Sequence, residues 1–358
     1  MSIKSKLEHY YEHLFDVVRR YSAKRTRINQ FKNKSQKNAL TKAQIAEVKS
    51  FYKPYAIPSI VFHRYFTEKT GVFHAEYIPQ DIYIEIDTYL NDLRAAKHID
   101  NKCYYDLFFH GIPQPHLVLK RINHIWLDGR GNVVDNDTIN KLIAEENDGV
   151  FVKEAQVSAG GKGVVYVAAD ENAYDKLMAF AEATKTDIVV QRRIVQHPDC
   201  AKFNPSSVNS LRIYSVLNKD GSVKIYSSVL RIGVGDSKVD NYASGGVSCG
   251  IKEDGTLRKY AYNKKGERVQ IHPTSNIEFE GCRIPSWQQA VELVKKAHPT
   301  IAHFRSVSWD IAITENGEPI LIEANLCRGG IDLLQLSNGP LYGEDTVKIL
   351  DEVFNKGN

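Results

Sequence analysis

Apolar and polar positions follow two different periods along this 358-residue chain. Before residue 58 the period is helical. LEHYYEHLFDVVRRY places its apolar residues three and four apart, which predicts a helix. Thr41, followed three residues later by Gln44, reads as a capping box opening KAQIAEVKSFY, and Pro54 and Pro58 end that stretch. Residues 59–100 are mixed, with aromatic VFHRYF and then IDTYLNDLRAAKHID, which predicts a helix. From residue 148 the texture changes to short β-rich runs separated by glycine turns: GVFVKEAQV, GVVYVA, DIVVQRR, LRIYSVL, VKIYSSVLRIG, SVSWDIAIT and EPILIEAN. Two helical patterns interrupt them, NAYDKLMAFAEATK and SWQQAVELVKKAH. Strands in hairpins, with helices between groups of strands, predict an α+β architecture. No internal repeat or low-complexity linker is present.

Length adds a bound: at about 150 residues per domain, two or three domains or lobes are expected. Apolar residues at 42% and charged residues at 25% exclude a disordered chain, a collagen-like repeat and a fibrous coil. No run approaches the roughly 18 apolar residues of a spanning helix. The opening MSIKSKLEHYYEH has no apolar signal segment. Five cysteines without a CxxC pair support neither a disulfide framework nor a Cys-rich zinc site, so a reducing cytoplasm is the expected location. The net charge of +4 conceals an asymmetry, because residues 1–53 hold 13 Lys/Arg against 4 Asp/Glu, a net of +9. Such an arm attracts nucleic acid, anionic lipid or an acidic partner, or is simply a solvated helical face.

The densest chemistry lies in SVSWDIAITENGEPILIEAN, residues 306–325. Asn316-Gly317 is a strong two-residue hairpin signal. In that register Asp310 faces Glu323, and Pro319 faces Thr314, where its missing N–H costs nothing. Alternation then puts Asp310, Glu323 and Asn325 on one face, and Trp309, Ile311, Ile313, Ile320 and Ile322 on the core face. Directly opposed carboxylates lie about 5 Å apart and repel by roughly 3 kcal/mol at an effective dielectric of about 20. A hard divalent cation would offset this, with the Asn325 oxygen as a third ligand. Neutralisation by Lys or Arg is the alternative.

Two further features point to phosphate. VFVKEAQVSAGGKGVVYV reads as strand, Gly-rich loop and strand, and Ser158, Gly160, Gly161 and Gly163 can turn backbone N–H groups toward an anion. Lys153 lies on the strand before this loop. The loop is neither a Walker A motif nor a dinucleotide fingerprint, and glycine also serves ordinary turns. In NSLRIYSVLNKDGSVKIYSSVLRIG, Asp220-Gly221 predicts a second two-residue turn. Arg231 then faces Ser210, and Arg212 and Arg231 are diagonal neighbours with room for an anion between them. Pairing with ordinary surface carboxylates is the alternative. Cys327 has no evident activating base and reads as a small buried filler.

In this order, the lysine, Gly-rich loop, Arg hairpin, Asp and Glu-x-Asn resemble the ATP-grasp superfamily. NPSSVNSLRIYSV, LRIG, VDNYASGG, IPSW, WDIAI and IEAN resemble, more narrowly, the sugar-transfer-associated ATP-grasp family, over residues 85–340. The resemblance implies two α+β lobes clasping ATP. Residues 1–58 would be a helical basic extension and 59–147 a linking region. A small lobe with the Gly-rich loop would span 148–195, and a large lobe with the metal and phosphate sites 196–358. Lys102, preceded here by Asn rather than directly by Asp, matches the earlier nucleotide lysine. Gln191, Arg192 and Ile194 would line the adenine, and His197 or Asp199 would approach the ribose. Lys153, Arg212 and Arg231 would stabilise the transferring phosphoryl group. Asp310, Glu323 and Asn325 would hold two Mg²⁺ ions, with Mn²⁺ as a substitute, and Arg328 and Asn241 would face the substrate.

The implied activity is an ADP-producing carboxylate–amine ligase. It would join a small-molecule carboxylate to an amine or sugar-linked acceptor in cell-surface polysaccharide or sugar-conjugate biosynthesis, with no nucleic acid involved. A kinase acting on a hydroxyl, or a non-catalytic ATP-binding module docked through the basic arm, are the rival readings.

Overall fold

The computed structural model describes residues 3–156, 163–235, 245–327 and 329–355. Two antiparallel sheets organise it. The smaller contains β1 (Leu117–Ile122), β2 (Ile125–Asp128), β3 (Val150–Glu154), β4 (Val164–Val167) and β5 (Ile188–Arg192), in the order β2-β1-β5-β3-β4. The larger contains β6 (Leu211–Leu217), β7 (Val223–Ile232), β8 (Val247–Ile251), β9 (Leu257–Tyr262), β10 (Arg268–Val269), β11 (Ser306–Ile313) and β12 (Pro319–Asn325), in the order β10-β9-β8-β7-β6-β11-β12. The small sheet begins at Leu117, ahead of residue 148 where the β texture becomes obvious, because β1 pairs with β5 on its far edge.

Four helices of eleven or more residues precede the sheets, α1 (Ile3–Phe31), α2 (Lys42–Tyr52), α3 (Ile60–Thr70) and α4 (Gln80–Leu90), followed by short turns at Ala96–Ile99 and Tyr105–Phe108. The capping box at Thr41 forms as its sequence requires, with Gln44 N donating to the Thr41 hydroxyl and Thr41 N to the Gln44 side chain. One face of the large sheet packs Leu211, Ile213, Trp309 and Ile311 against the helix Trp287–Ala297. The other packs Tyr214, Val216 and Val229 against α2, α4 and the helices Ile331–Asn338 and Thr346–Phe354. Every residue of β11 is therefore buried. In the small lobe, helices Asn136–Ala144 and Ala173–Ala183 cover Val118, Val150, Val152 and Val190. Among the described residues no helix is long and apolar enough to cross a membrane.

Both expected two-residue turns are three-residue loops. At 314–318, Thr314 N donates to Glu318 O at 2.9 Å, and Gly317 N donates back to Thr314 O at 2.9 Å. Gly317 supplies the left-handed φ of 79° that this turn requires. The extra loop residue shifts the register, so Pro319 faces Ile313 rather than Thr314. A bulge between Asp310 and Ile311 then restores the pairing of Asp310 with Glu323. The hairpin at 218–222 repeats the device: Gly221 has φ 84°, and the register shifts again between Tyr214 and Ser215. Arg231 N consequently donates to Ser210 O at 2.8 Å, as expected. The bulge also changes which β12 residues face the core. Leu321 and Ala324 join the main cluster, where Ile320 and Ile322 were expected.

The helix expected over IDTYLNDLRAAKHID is broken. α4 ends at Leu90, Asn91 bridges Phe304, and a single turn reforms at Ala96–Ile99. Side-chain chemistry explains the break. The Asn91 amide donates to Asp87 Oδ1, Ser306 O and Leu326 O at 2.9, 2.9 and 3.0 Å, and its oxygen accepts from Ser306 N at 2.9 Å. Asn91 thus competes with the helix for backbone partners and clamps the start of β11 to the end of β12. Asn91→Ala leaves several of these buried groups unpaired, and urea unfolding is expected to register a loss of about 3 kcal/mol. A loss under about 1 kcal/mol would show that water replaces the clamp.

Candidate active site

The large sheet's contribution follows from cross-strand pairing. β11 lies beside both β6 and β12, so Asp310 faces Arg212 on one side and Glu323 on the other. Arg212 donates through Nε and Nη2 to the two Asp310 oxygens, both at 2.8 Å. Arg231 donates through Nη1 to Asp310 Oδ2 at 2.8 Å. The anion between the two guanidinium groups is therefore Asp310 itself, not a surface carboxylate. Asp310 is only 4% exposed. Burial opposes its ionisation, yet Arg212 and Arg231 hold its carboxyl below the usual range. Asn325 donates to Ser308 O at 3.1 Å, and its amide also favours the ionised Asp310 carboxylate.

The small lobe meets this cluster through Lys102. Asn101 caps the turn that carries it, with Oδ1 accepting from Cys103 N and Nδ2 donating to Asp187. Lys102 N donates to Ala155 O at the end of β3. Held this way, Lys102 Nζ reaches across to Glu323 Oε1 at 2.8 Å. Lys153 sits diagonally from Gln191 across the β3–β5 ladder and donates to its Oε1 at 2.9 Å. Burial and the neighbouring Lys102 lower the Lys153 pKa to about 8, with Glu323 acting in the opposite direction.

Other expected residues fall elsewhere or on the margin. Arg192 turns to Glu146, in two bonds at 2.7 and 2.8 Å. Ile194 is half-buried in a connecting segment tied to the β11–β12 hairpin, where Gln196 bridges Thr314 and Glu315 N donates to Val195 O. His197 Nδ1 accepts from Asp199 N at 3.1 Å, and the Asp199 side chain is exposed. Gly163 is described, with Glu154 N donating to its carbonyl at 2.8 Å. Ser158, Gly160, Gly161, Asn241 and Arg328 lie outside the described residues.

Sequence reasoning missed Asp100. Burial raises its carboxyl to about 7, Lys102 opposing this and Glu323 adding to it, and Oδ1 has no hydrogen-bond partner. Its one sequence signal is its place two residues before Lys102. The glycines after Asn325 also acquire a reason. A Cβ at Gly329 would lie 2.3 Å from Ser308 Oγ, and one at Gly330 would lie 3.1 Å from Arg212 Nη1.

Arginine and lysine thus already relieve the repulsion that a cation was expected to offset. Among the described residues no group of three or more His, Cys, Asp or Glu side chains forms a metal site. The donor types nevertheless suit a hard cation: two carboxylates and an amide in one cluster, with the orphaned Asp100 oxygen nearby. Four cationic side chains (Lys102, Lys153, Arg212 and Arg231) meet three carboxylates (Asp100, Asp310 and Glu323) where the sheets adjoin. A polyanion complements that excess.

The chain matches the sugar-transfer associated ATP-grasp family over residues 83–346, and it belongs to that family. Its two-sheet α/β structure is an ATP-grasp fold with a helical N-terminal region. Among solved structures it resembles the D-alanine-D-alanine ligase of Coxiella burnetii, with a TM-score of 0.45 and 11% identity over 74% of this chain and 60% of that one. D-cycloserine synthetase gives a TM-score of 0.43 and 13% identity over 73% and 71%. An ADP complex of N5-carboxyaminoimidazole ribonucleotide synthetase gives 0.39 and 13% over 64% and 45%, so the chain spans under half of that enzyme's length. No curated protein matches the sequence.

The Asp310 cluster makes a pH prediction. Its carboxyl is depressed on folding, so its contribution is present above the unfolded value, about 4, and is lost as pH falls through the folded one. Asp310→Asn should lower unfolding stability by about 3 kcal/mol above roughly pH 5. The gap to the parent protein should close in more acidic solution. A gap independent of pH would mean that the carboxylate charge is not what Arg212 and Arg231 hold.

Proposed function

We propose that this protein is an ATP- and Mg²⁺-dependent ligase that activates a carboxylate as an acyl phosphate and transfers the acyl group to an amine or similar nucleophile. The observation that carries this reading is the convergence of Lys102, Lys153, Arg212 and Arg231 on Asp310 and Glu323 between the two sheets. Phosphoryl transfer needs positioning and charge neutralisation more than covalent help, and this cluster offers both. Lys102 and Lys153 hold the phosphates, with Gln191 orienting the Lys153 ammonium. Arg212 and Arg231 exchange Asp310 for the transferring phosphoryl oxygens. Asp310, Glu323 and Asn325 are the residues that would hold Mg²⁺ or Mn²⁺, which when bound supplies further neutralisation of the phosphate charge.

Ile194 and the backbone beside Gln191 and Arg192 face the adenine, and His197 or Asp199 the ribose. The loop of Ser158, Gly160, Gly161 and Gly163 closes over the phosphates and excludes water. Arg328 and Asn241 bind the acyl substrate or its acceptor. The substrate carboxylate oxygen attacks the γ-phosphorus and ADP leaves. The amine nitrogen then attacks the acyl carbon, releasing phosphate and a proton and forming the C–N bond. The family's association with sugar transfer favours an amino-sugar or sugar-linked acceptor in cell-surface polysaccharide or sugar-conjugate synthesis, in the cytoplasm where ATP is available.

Amino acids crossed with amino sugars and polyamines, assayed for ADP and phosphate release, test this reading. The expected result is phosphate release that requires both a carboxylate and an amine. Glu323→Ala should reduce turnover by about 10²-fold or more while leaving the fold intact. A stable phosphorylated alcohol would make the protein a kinase, and tight ATP binding without turnover would make it a binding module.

Lys153 supplies a second test. Its ammonium loses its proton as pH rises through about 8, so ATP affinity measured by calorimetry should fall by about tenfold between neutral and alkaline pH. Lys153→Arg stays charged and should flatten that profile. An unchanged parent profile would remove Lys153 from the phosphate site.

A further inference from the structure

The N-terminal helix carries two features that the enzyme reading leaves unused. The first is charge. From Val17 to Ala46 there are nine Lys/Arg and no Asp or Glu. Arg20 and Lys24 pair with Glu85 of α4 at 2.9 and 2.6 Å. Arg19, Arg25, Lys32 and Lys37 are exposed, and no carboxylate of the described residues pairs with them.

The second is an apolar stripe facing away from the protein. Leu14, Val17, Val18 and Tyr21 are 46, 40, 58 and 65% exposed. Their spacing of three, four and seven residues puts them on one side of α1. In sequence the same spacing continues backward through Leu7, Tyr10 and Tyr11. After Tyr21, no eight-residue window of the described residues holds more than two exposed large hydrophobic residues.

The helix is firmly mounted. Near its C-terminal end Phe31 is buried against Phe62 and Tyr65, with ring centroids 5.1 and 4.9 Å apart. The stripe is therefore displayed by a docked helix, not by a free tail.

We infer that α1 is an interfacial anchor that lays Leu14, Val17, Val18 and Tyr21 into an anionic lipid surface, with Arg19, Arg25 and the lysines that follow against the headgroups. Charge complementarity selects this occupant. A second copy would bring together two arms of net charge +9, and from Val17 to Ala46 neither arm offers a carboxylate to pair across such a seam. A nucleic acid would engage the cations but leave the apolar stripe in water. An anionic bilayer engages both, burying the apolar side chains at the acyl boundary and attracting the basic residues electrostatically. The inference stands apart from the ligase reading, and its test involves no turnover.

The test is vesicle co-sedimentation of the full chain. Phosphatidylcholine vesicles with about one-third phosphatidylglycerol are compared with phosphatidylcholine alone, at low and high salt. Binding is expected only with the anionic vesicles, and weaker in high salt. Val18→Glu with Tyr21→Glu should lower vesicle affinity by at least about tenfold with an unchanged circular dichroism spectrum, since both side chains are exposed. Arg19→Ala with Arg25→Ala should lower it by about thirtyfold and reduce its salt dependence. Absence of binding to the anionic vesicles, equal binding to both compositions, or full binding by the Val18/Tyr21 variant would each overturn the inference. So would a dimer in solution that the Val18/Tyr21 variant abolishes, or an RNA oligomer binding in place of the vesicles. Failure here would leave the phosphate-release results untouched.

Discussion

A carboxylate on an inner strand of a sheet buried on both faces cannot stay charged without partners. Asp310 is that carboxylate, and its two guanidinium partners are the condition on which the surrounding strands are arranged. Arg212 is supplied by the strand that pairs directly with β11. Arg231 comes from the next strand out, at a position set by the turn and bulge of the β6–β7 hairpin. On the other side, Glu323 sits opposite Asp310 and is neutralised from the small lobe by Lys102. One charge problem therefore joins four strands and both lobes.

That arrangement pairs both Asp310 and Glu323 with cations of the protein itself. The cations suited to gripping phosphate hold the carboxylates suited to gripping a metal ion. In the ligase reading, the cations would turn to the nucleotide and the carboxylates would hold the metal ion, each group releasing partners that the other requires. Lys153 fits the same logic. Its ammonium is close to Lys102 and partly desolvated, so it gains from an incoming anion more than an exposed lysine would. The orphaned oxygen of Asp100 leaves the same cluster incompletely satisfied.

Much of this was legible in the sequence because strand and turn chemistry is local. The β-rich runs after residue 148, the capping box at Thr41 and the pairing of Asp310 with Glu323 all follow from neighbouring residues. The turn that fixes the pairing departs from its local signal. A three-residue loop shifted the register by one, and a bulge shifted it back. Two displacements of opposite sign left the site residues where a simpler hairpin would have put them, but moved Leu321 and Ala324 into the core. The break at Asn91 is not legible locally for another reason. Three of the four partners that hold the Asn91 side chain belong to Ser306 and Leu326, more than two hundred residues away.

By itself the sequence determined the α+β character, the family, the carboxylates and cations that meet in the cluster, and the uneven charge of the first helix, since each depends on residue type and short-range spacing. Tertiary structure decided which of those charges neutralise one another. It turned Arg212 and Arg231 onto Asp310, brought Lys102 to Glu323, sent Arg192 to Glu146, and left the apolar stripe of α1 facing water. Such choices depend on which strands become neighbours and how much water is excluded between them, and a linear chain carries neither quantity locally.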